Sequence, residues 1–326
     1  MNRFKLAGPD HRCTRRSALA GLAALASPAH ALMAGATPDS PAARVDTNLP
    51  GSPWTSAVSV LVGGTPFSGV AIARQYVLTA AHVAGGQPPS QVQVVVNSQA
   101  APVTMSVAAV ATYPGTVFPY DDLCVLQLAQ PLPAGVPIPP IMDTPQPTGT
   151  VLTLVGYGAS GYGNVGPSVG ASSTVKRSGR NVLDTLTDRL DSSGRTGQFF
   201  VYDFDGPSGN GAMGGPTLGN AVETAPASGD SGSPVYVDST AGIALYGLTT
   251  LVLSFASGST TSVFGSGGGG LVLSYAPHLS WLQTQTAHTL TLASQVVTAD
   301  VPVAPTWALG LLAAGFATHL LRVGRG

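Results

Sequence analysis

The sequence predicts an all-β fold, and three observations carry the prediction. Charged residues are only 9% of the 326, against roughly a quarter in ordinary soluble domains. Gly and Pro are abundant, at 41 and 27, which punctuates the chain with turns. Between those turns lie short runs rich in Val, Leu, Tyr and Thr, the residues that fit a pleated and half-buried surface.

Taken in order from Trp54, the strand-like runs are "SAVSVLVGG", "SGVAIARQYVLTAAHV", "QVQVVVN", "DDLCVLQL", "VLTLVGYG", "SPVYVD", "GIALYGLTTLVLS" and "GGLVLSY". Many short strands with such punctuation imply barrels or sandwiches. "YAPHLSWLQTQT", Tyr275 to Thr286, is the best candidate for a short helix. Residues 160–222 read as a Gly/Ser/Asp-rich stretch with few strands, and 287–300 as a linker. The "GSGGGG" at 265–270 lacks the Gly-Lys-Ser/Thr ending of a phosphate loop and reads as a flexible loop.

Both ends carry their own signals. Arg12, Arg15 and Arg16, the apolar run Ala18 to Ala26 and the small residues Ala29 and Ala31 form an export signal over 1–31, cut after Ala31. Thr14, Arg15 and Arg16 resemble a twin-arginine signal, and the general secretory route stays open. At the other end a Pro-containing entry from Val301, an apolar run from Trp307 to Leu321, and Arg322 and Arg325 suit a membrane anchor. This tail, 301–326, resembles bacterial C-terminal sorting signals of the PEP-CTERM type, although its entry reads "VPVAP". The resemblance implies a bacterial membrane or sorting machinery as a partner, and a periplasmic, cell-surface or extracellular location.

The net charge is -1 and the body of the chain has no Lys/Arg cluster, which excludes a nucleic-acid partner. Removal of the signal takes Cys13 with it and leaves Cys124 alone, so no intramolecular disulfide can form. Set among apolar neighbours, Cys124 reads as an inert buried thiol.

The chemistry centres on "APASGDSGSPVY", where Ser231 stands between two glycines after Asp230. On local composition the stretch is an ordinary turn, because a serine hydroxyl becomes a nucleophile only beside a base that is itself oriented. Once the export signal and the tail are set apart, His82, His278 and His288 remain. His278 and His288 fall in the helix and the linker, where solvated surface roles are the default. His82 ends an apolar strand run, where a rigid scaffold presents chemistry. Asp122, beside Asp121, opens the strand "DLCVLQL", and a carboxylate entering such a strand needs a partner.

"LTAAH", "DDLCVL" and "SGDSGSP", in this order and at these spacings, resemble the chymotrypsin/trypsin-like serine endopeptidases over residues 54–286. The resemblance implies two packed six-stranded antiparallel β-barrels, about 54–140 and 150–286, after an N-terminal segment 32–53, with a short closing helix. It implies peptide-bond hydrolysis of protein or peptide substrates through His82, Asp122 and Ser231, an oxyanion hole from the Gly229 and Ser231 N–H groups, and no required cofactor. The same fold without activity, used as a binding module, is the alternative. Val83 and Ser68 stand where the family commonly has a disulfide, and Ser233 where it has a second glycine. No Ile-Val-Gly-Gly start occurs; either cleavage after Arg44 activates the chain, with Val45 leading, or another group satisfies Asp230. Ala225 stands where Arg/Lys-specific relatives have an aspartate, which argues for a small or apolar pocket with Thr250 and Leu251 on its wall. Asp203, Asp205 and Glu223 are candidate calcium ligands, against the plainer reading of an acidic loop.

Overall fold

The computed structural model describes residues 32–47, 51–98, 101–190, 194–209, 211–255 and 260–296. The export signal 1–31 and the tail 301–326 lie outside the described residues. Among the described residues no helix is long and apolar enough to cross a membrane.

Six strands close the first barrel: β1 (Ala57–Val62), β2 (Thr65–Ala73), β3 (Tyr76–Thr79), β4 (Val92–Val96), β5 (Val103–Thr112) and β6 (Cys124–Leu128). Their order is β1-β2-β3-β6-β5-β4, with every pairing antiparallel. The Gly63–Gly64 turn that joins β1 to β2 has φ of 55° and 84°, the positive values that a two-residue hairpin requires. Val58, Val60, Ala71, Val77, Val94, Val96 and Leu126 fill the interior, and each such valine or leucine contributes about 1.5–3 kcal/mol by leaving water. Cys124 belongs to this core, and burial pushes its thiol up to about 12.

The second unit contains β7 (Val151–Gly156), β8 (Ser160–Tyr162), β9 (Gly166–Val169), β10 (Arg177–Val182), β11 (Thr185–Thr187), β12 (Phe199–Asp203), β13 (Pro234–Ser239), β14 (Gly242–Ser254) and β15 (Ser266–Val272). Seven form one sheet in the order β10-β7-β13-β14-β15-β12-β11, and β8 pairs with β9. Seven strands stand where six were expected because one stretch changes partners midway. Leu183 N–H donates to Thr150 O on the β7 side, and Asp184 N–H donates to Val201 O on β12. Only these two residues separate β10 from β11, so the two edges of the sheet meet at one point of the chain.

Four sequence expectations need correction. Residues 160–222 hold five strands, β8 to β12. In β10 the inward side chains are polar and anchored on backbone carbonyls: Arg177 donates to Pro41 O through Nε alone, and Asn181 Nδ2 donates to Asp203 O and Thr224 O at 2.7 and 2.8 Å. The expected flexible loop at 265–270 is β15, buried along its whole length between β12 and β14. Its glycines are steric necessities, since a Cβ on Gly270 would collide with Leu248 O and one on Gly267 with Tyr202 O. Residues 287–295 of the expected linker are docked: Ile141 N–H donates to Thr291 O, Ala293 N–H donates to Ile141 O, and Ser294 is bonded to Asp143. Finally, His278 on the closing helix α2 (Ala276–Gln285) is fully buried, and its Nε2 lies 2.9 Å from Asp121 Oδ1.

A shared apolar layer joins the two units. Ala57, Val70, Leu78, Leu123 and Val125 from the first meet Val155, Tyr236, Leu248, Leu271 and, from α2, Leu282. The candidate site lies along this seam.

Candidate active site

The first barrel supplies a histidine and an aspartate. β3 ends at Thr79 and runs into a single helical turn, α1 (Ala81–Ala84), which carries His82. Asp122 precedes β6, the neighbour of β3, and is fully buried. Its backbone O accepts Ala81 N–H at 3.1 Å, and its Oδ1 accepts His82 N–H at 2.7 Å. The remaining oxygen, Oδ2, lies 2.6 Å from His82 Nδ1. A carboxylate can only accept, so Nδ1 carries the imidazole proton and Nε2 presents its lone pair. Ser231 Oγ lies 2.7 Å from that Nε2 and donates to it. The imidazole is about a third exposed and Asp122 not at all, which leaves the histidine open to a substrate while its carboxylate partner stays dry.

Ser231 sits in a turn that glycine geometry permits. Gly229 and Gly232 have φ of 91° and 83°, values that cost other residues strain. Gly232 packs so closely on Ser68 O and Thr79 Oγ1 of the first barrel that a Cβ would strike both. Among the described residues neither the Gly229 nor the Ser231 N–H has an internal acceptor, so both donors are free to bind an oxyanion.

Several supports of this turn had no signal in the sequence. Ser68 N–H donates to Ser231 O at 3.1 Å, Ser68 Oγ donates to Gly229 O at 3.1 Å, and the same Oγ accepts Tyr157 N–H at 2.9 Å. A hydroxyl thus links the first barrel to the second unit, from one of the two positions where the family commonly has a disulfide. Phe118, half exposed, sets its ring edge-on to His82 at 5.3 Å, a placement that no periodicity announces.

Asp230 is fully buried and accepts three backbone N–H groups: Gly158 at 2.9 Å, Ala227 at 3.0 Å and Leu32 at 3.3 Å. Burial raises its carboxyl to about 7, against the pull of those bonds and of the Arg177 charge. Arg177 is itself buried, and its two terminal nitrogens have no hydrogen-bond partner. Leu32 and Met33 run along the second unit, with Met33 N–H on Ala225 O and Thr224 Oγ1 on Met33 O. Arg44, by contrast, is locked away from Asp230: its Nε donates to Asp39 at 2.9 Å and NH2 to Glu223 O at 2.9 Å.

The three pocket residues do not form one open surface. Ala225 is buried in an apolar cluster with Met33, Phe204 and Ala227. Leu251 belongs to the layer between the barrels. Thr250 lies at the bulge of β14, between Thr249 and Leu251, with its Oγ1 unpartnered. Asp203, Asp205 and Glu223 do converge, at a distance from the triad in sequence and on the far side of the Ala225 segment from Ser231 in chain order.

A histidine held between a buried carboxylate and a serine hydroxyl, on paired antiparallel units, defines the class of two-barrel serine hydrolase folds. The trypsin family model matches residues 45–265, about two thirds of the 326 residues, and the chain belongs to the trypsin family. No curated protein matches this chain.

Proposed function

We propose that this chain is an exported serine endopeptidase. The observation that carries the reading is the unbroken line from Asp122 Oδ2 through His82 to Ser231 Oγ, at 2.6 and 2.7 Å. Ser231 Oγ attacks the substrate carbonyl carbon as His82 Nε2 takes its proton. The oxygen that gains charge is met by the Gly229 and Ser231 N–H groups, where loss of one donor typically costs about 3 kcal/mol. His82 returns the proton to the leaving amine, which departs from the acyl-enzyme. Water then repeats the sequence, giving its proton to His82 and releasing the acid. Asp122 stays ionised throughout and holds the imidazole for both transfers. The position where Arg/Lys-specific relatives have an aspartate is the neutral, buried Ala225, so no carboxylate there draws an Arg or Lys side chain.

Leader removal is the activating step in this reading. A cut after Ala31 turns the Leu32 N–H into an ammonium beside the buried Asp230, the opposite charge that this carboxylate lacks while Leu32 is in a peptide bond. The tail 301–326 then serves as a sorting or membrane-anchoring signal, which leaves the enzyme in the periplasm or at the cell surface.

The test is labelling of the Leu32-started protein by a fluorophosphonate. Labelling that vanishes in Ser231→Ala and His82→Ala supports the assignment and justifies a peptide-library search. Absence of labelling in the folded protein overturns it in favour of a binding module.

A further inference from the structure

Three carboxylates outside the triad converge on the second unit. Asp203 ends β12, Asp205 follows it, and Glu223 closes the loop 206–222. One oxygen of each lies within 4.8 Å of the others, and the residues are only 2, 3 and 2% exposed. Among the described residues no lysine or arginine pairs with them; every ion pair lies elsewhere.

The groups that donate to them are backbone and hydroxyl dipoles, and a fourth carboxylate, Asp184, stands beside Asp203 and accepts its backbone N–H at 2.9 Å. Glu223 Oε1 accepts Asp205 N–H at 2.7 Å, and its Oε2 accepts Thr217 Oγ–H and Leu218 N–H at 2.7 and 2.9 Å. Asp203 Oδ2 accepts Met213 N–H. Asp205 Oδ1 is buried with no hydrogen-bond partner at all. Gly211 passes directly over the group, and a Cβ there would strike both Asp203 Oδ2 and Asp205 Oδ1. Converged, dry, like-charged oxygens are costly to hold unless a cation joins them.

We propose that Asp203, Asp205 and Glu223 are the carboxylate ligands of a calcium ion. An all-oxygen, anionic donor set selects hard cations. Calcium accepts about 6–8 oxygens in a flexible arrangement, whereas magnesium demands a near-ideal octahedron and keeps several of its waters, which a buried group does not accommodate. The ion ties both ends of the 206–222 loop to β12. Glu223 leads straight into Thr224 and Ala225, which hold Met33, and then into the Gly229–Ser231 turn. The site therefore braces the segment that presents the nucleophile, whether or not that serine reacts.

The experiment uses the mature chain carrying Ser231→Ala, which cannot digest itself, stripped of metal by a chelator. Calcium is titrated while the melting temperature is followed, and Tb3+ luminescence reports occupancy directly. The expected result is a saturable rise in melting temperature with one ion per chain. Asp205→Asn should weaken calcium binding at least ~10-fold, in line with the dependence of affinity on ligand charge. The same variant should melt higher than its parent in chelator, because a neutral amide relieves the repulsion. That reversal of sign with calcium is not expected of a residue that only packs. No response up to ~10 mM calcium, well above the weakest protein sites, would overturn the proposal, as would equal binding of magnesium. Unchanged calcium affinity in Asp205→Asn would do the same. The titration of the parent protein decides the matter even where a variant fails to fold.

Discussion

The Leu32 backbone N–H donates to Asp230 Oδ2 at 3.3 Å across 198 positions of sequence. The bond joins the residue after the predicted leader cut to the residue before the candidate nucleophile. Protein that starts at Leu32 should therefore react faster with a fluorophosphonate than protein carrying a few extra residues ahead of it. The expected gap is roughly 10^2- to 10^3-fold, the scale of an uncompensated buried charge. Equal labelling rates in the two forms would remove the activating role of the amine.

A pH dependence follows from the same pair. While Leu32 is in a peptide bond the Asp230 carboxyl sits at about 7, above its ordinary 3.8, so the folded state binds this proton more tightly than the unfolded state. The stability it contributes is complete below about pH 4 and is lost as the pH rises through about 7. An ammonium at Leu32 stabilises the carboxylate and removes much of that loss. Melting temperatures of the extended and Leu32-started forms, both as Ser231→Ala, should diverge between pH 4 and 8, with the extended form falling further.

Asp122→Asn keeps the shape of the site but reverses its proton logic. An amide that donates to Nδ1 forces the imidazole proton onto Nε2, which can then no longer accept from Ser231. The peptidase rate should fall roughly 10^4-fold, as in triads of this type. Circular dichroism should be unchanged, and a loss under tenfold would mean that Asp122 does not set the tautomer.

Ser68→Ala should separate bracing from chemistry. It removes the bond to Gly229 O and leaves the buried Tyr157 N–H without its acceptor, at a cost of about 1–3 kcal/mol. Thermal melts should register the destabilisation, and probe labelling should slow because the Gly229–Asp230 peptide is no longer held. A melt identical to that of the parent protein would refute the bracing role.

Gly270→Ala tests whether β15 is the strand described. Its Cβ would enter the backbone of Leu248, and overpacking of this kind costs typically 1–3 kcal/mol. A soluble variant with an unaltered melting temperature would restore the flexible-loop reading of 265–270.

The first barrel was legible because its strands obey the ordinary rule: valines and leucines on short runs, glycines at the hairpin, a polar residue only where it has work to do. His82 and Asp122 stood out as polar groups at the ends of such runs. The second unit hides its strands in composition. β10 is built on Arg177, Gly179 and Asn181, whose inward positions are settled by carbonyls and close packing from Pro41, Thr224 and Asp203. β15 is glycine because its neighbours leave no room, a fact of tertiary packing with no local mark. His278 looked like a surface residue for the same reason, since its partner Asp121 lies 157 positions away. The Leu32–Asp230 bond was hidden by distance, and Arg44 drew attention only as a basic residue before an apolar one.

The lone described cysteine, Cys124, lies buried without a disulfide, and the Ser68 hydroxyl joins the first barrel to Gly229 and Tyr157 by hydrogen bonds. Among the described residues, no step in reaching this fold waits for an oxidant. Dithiothreitol should leave the melting temperature where it was. Under the proposed leader-removal step, folding and processing are thereby separable in time: the packing is complete before the serine turn receives its positive charge.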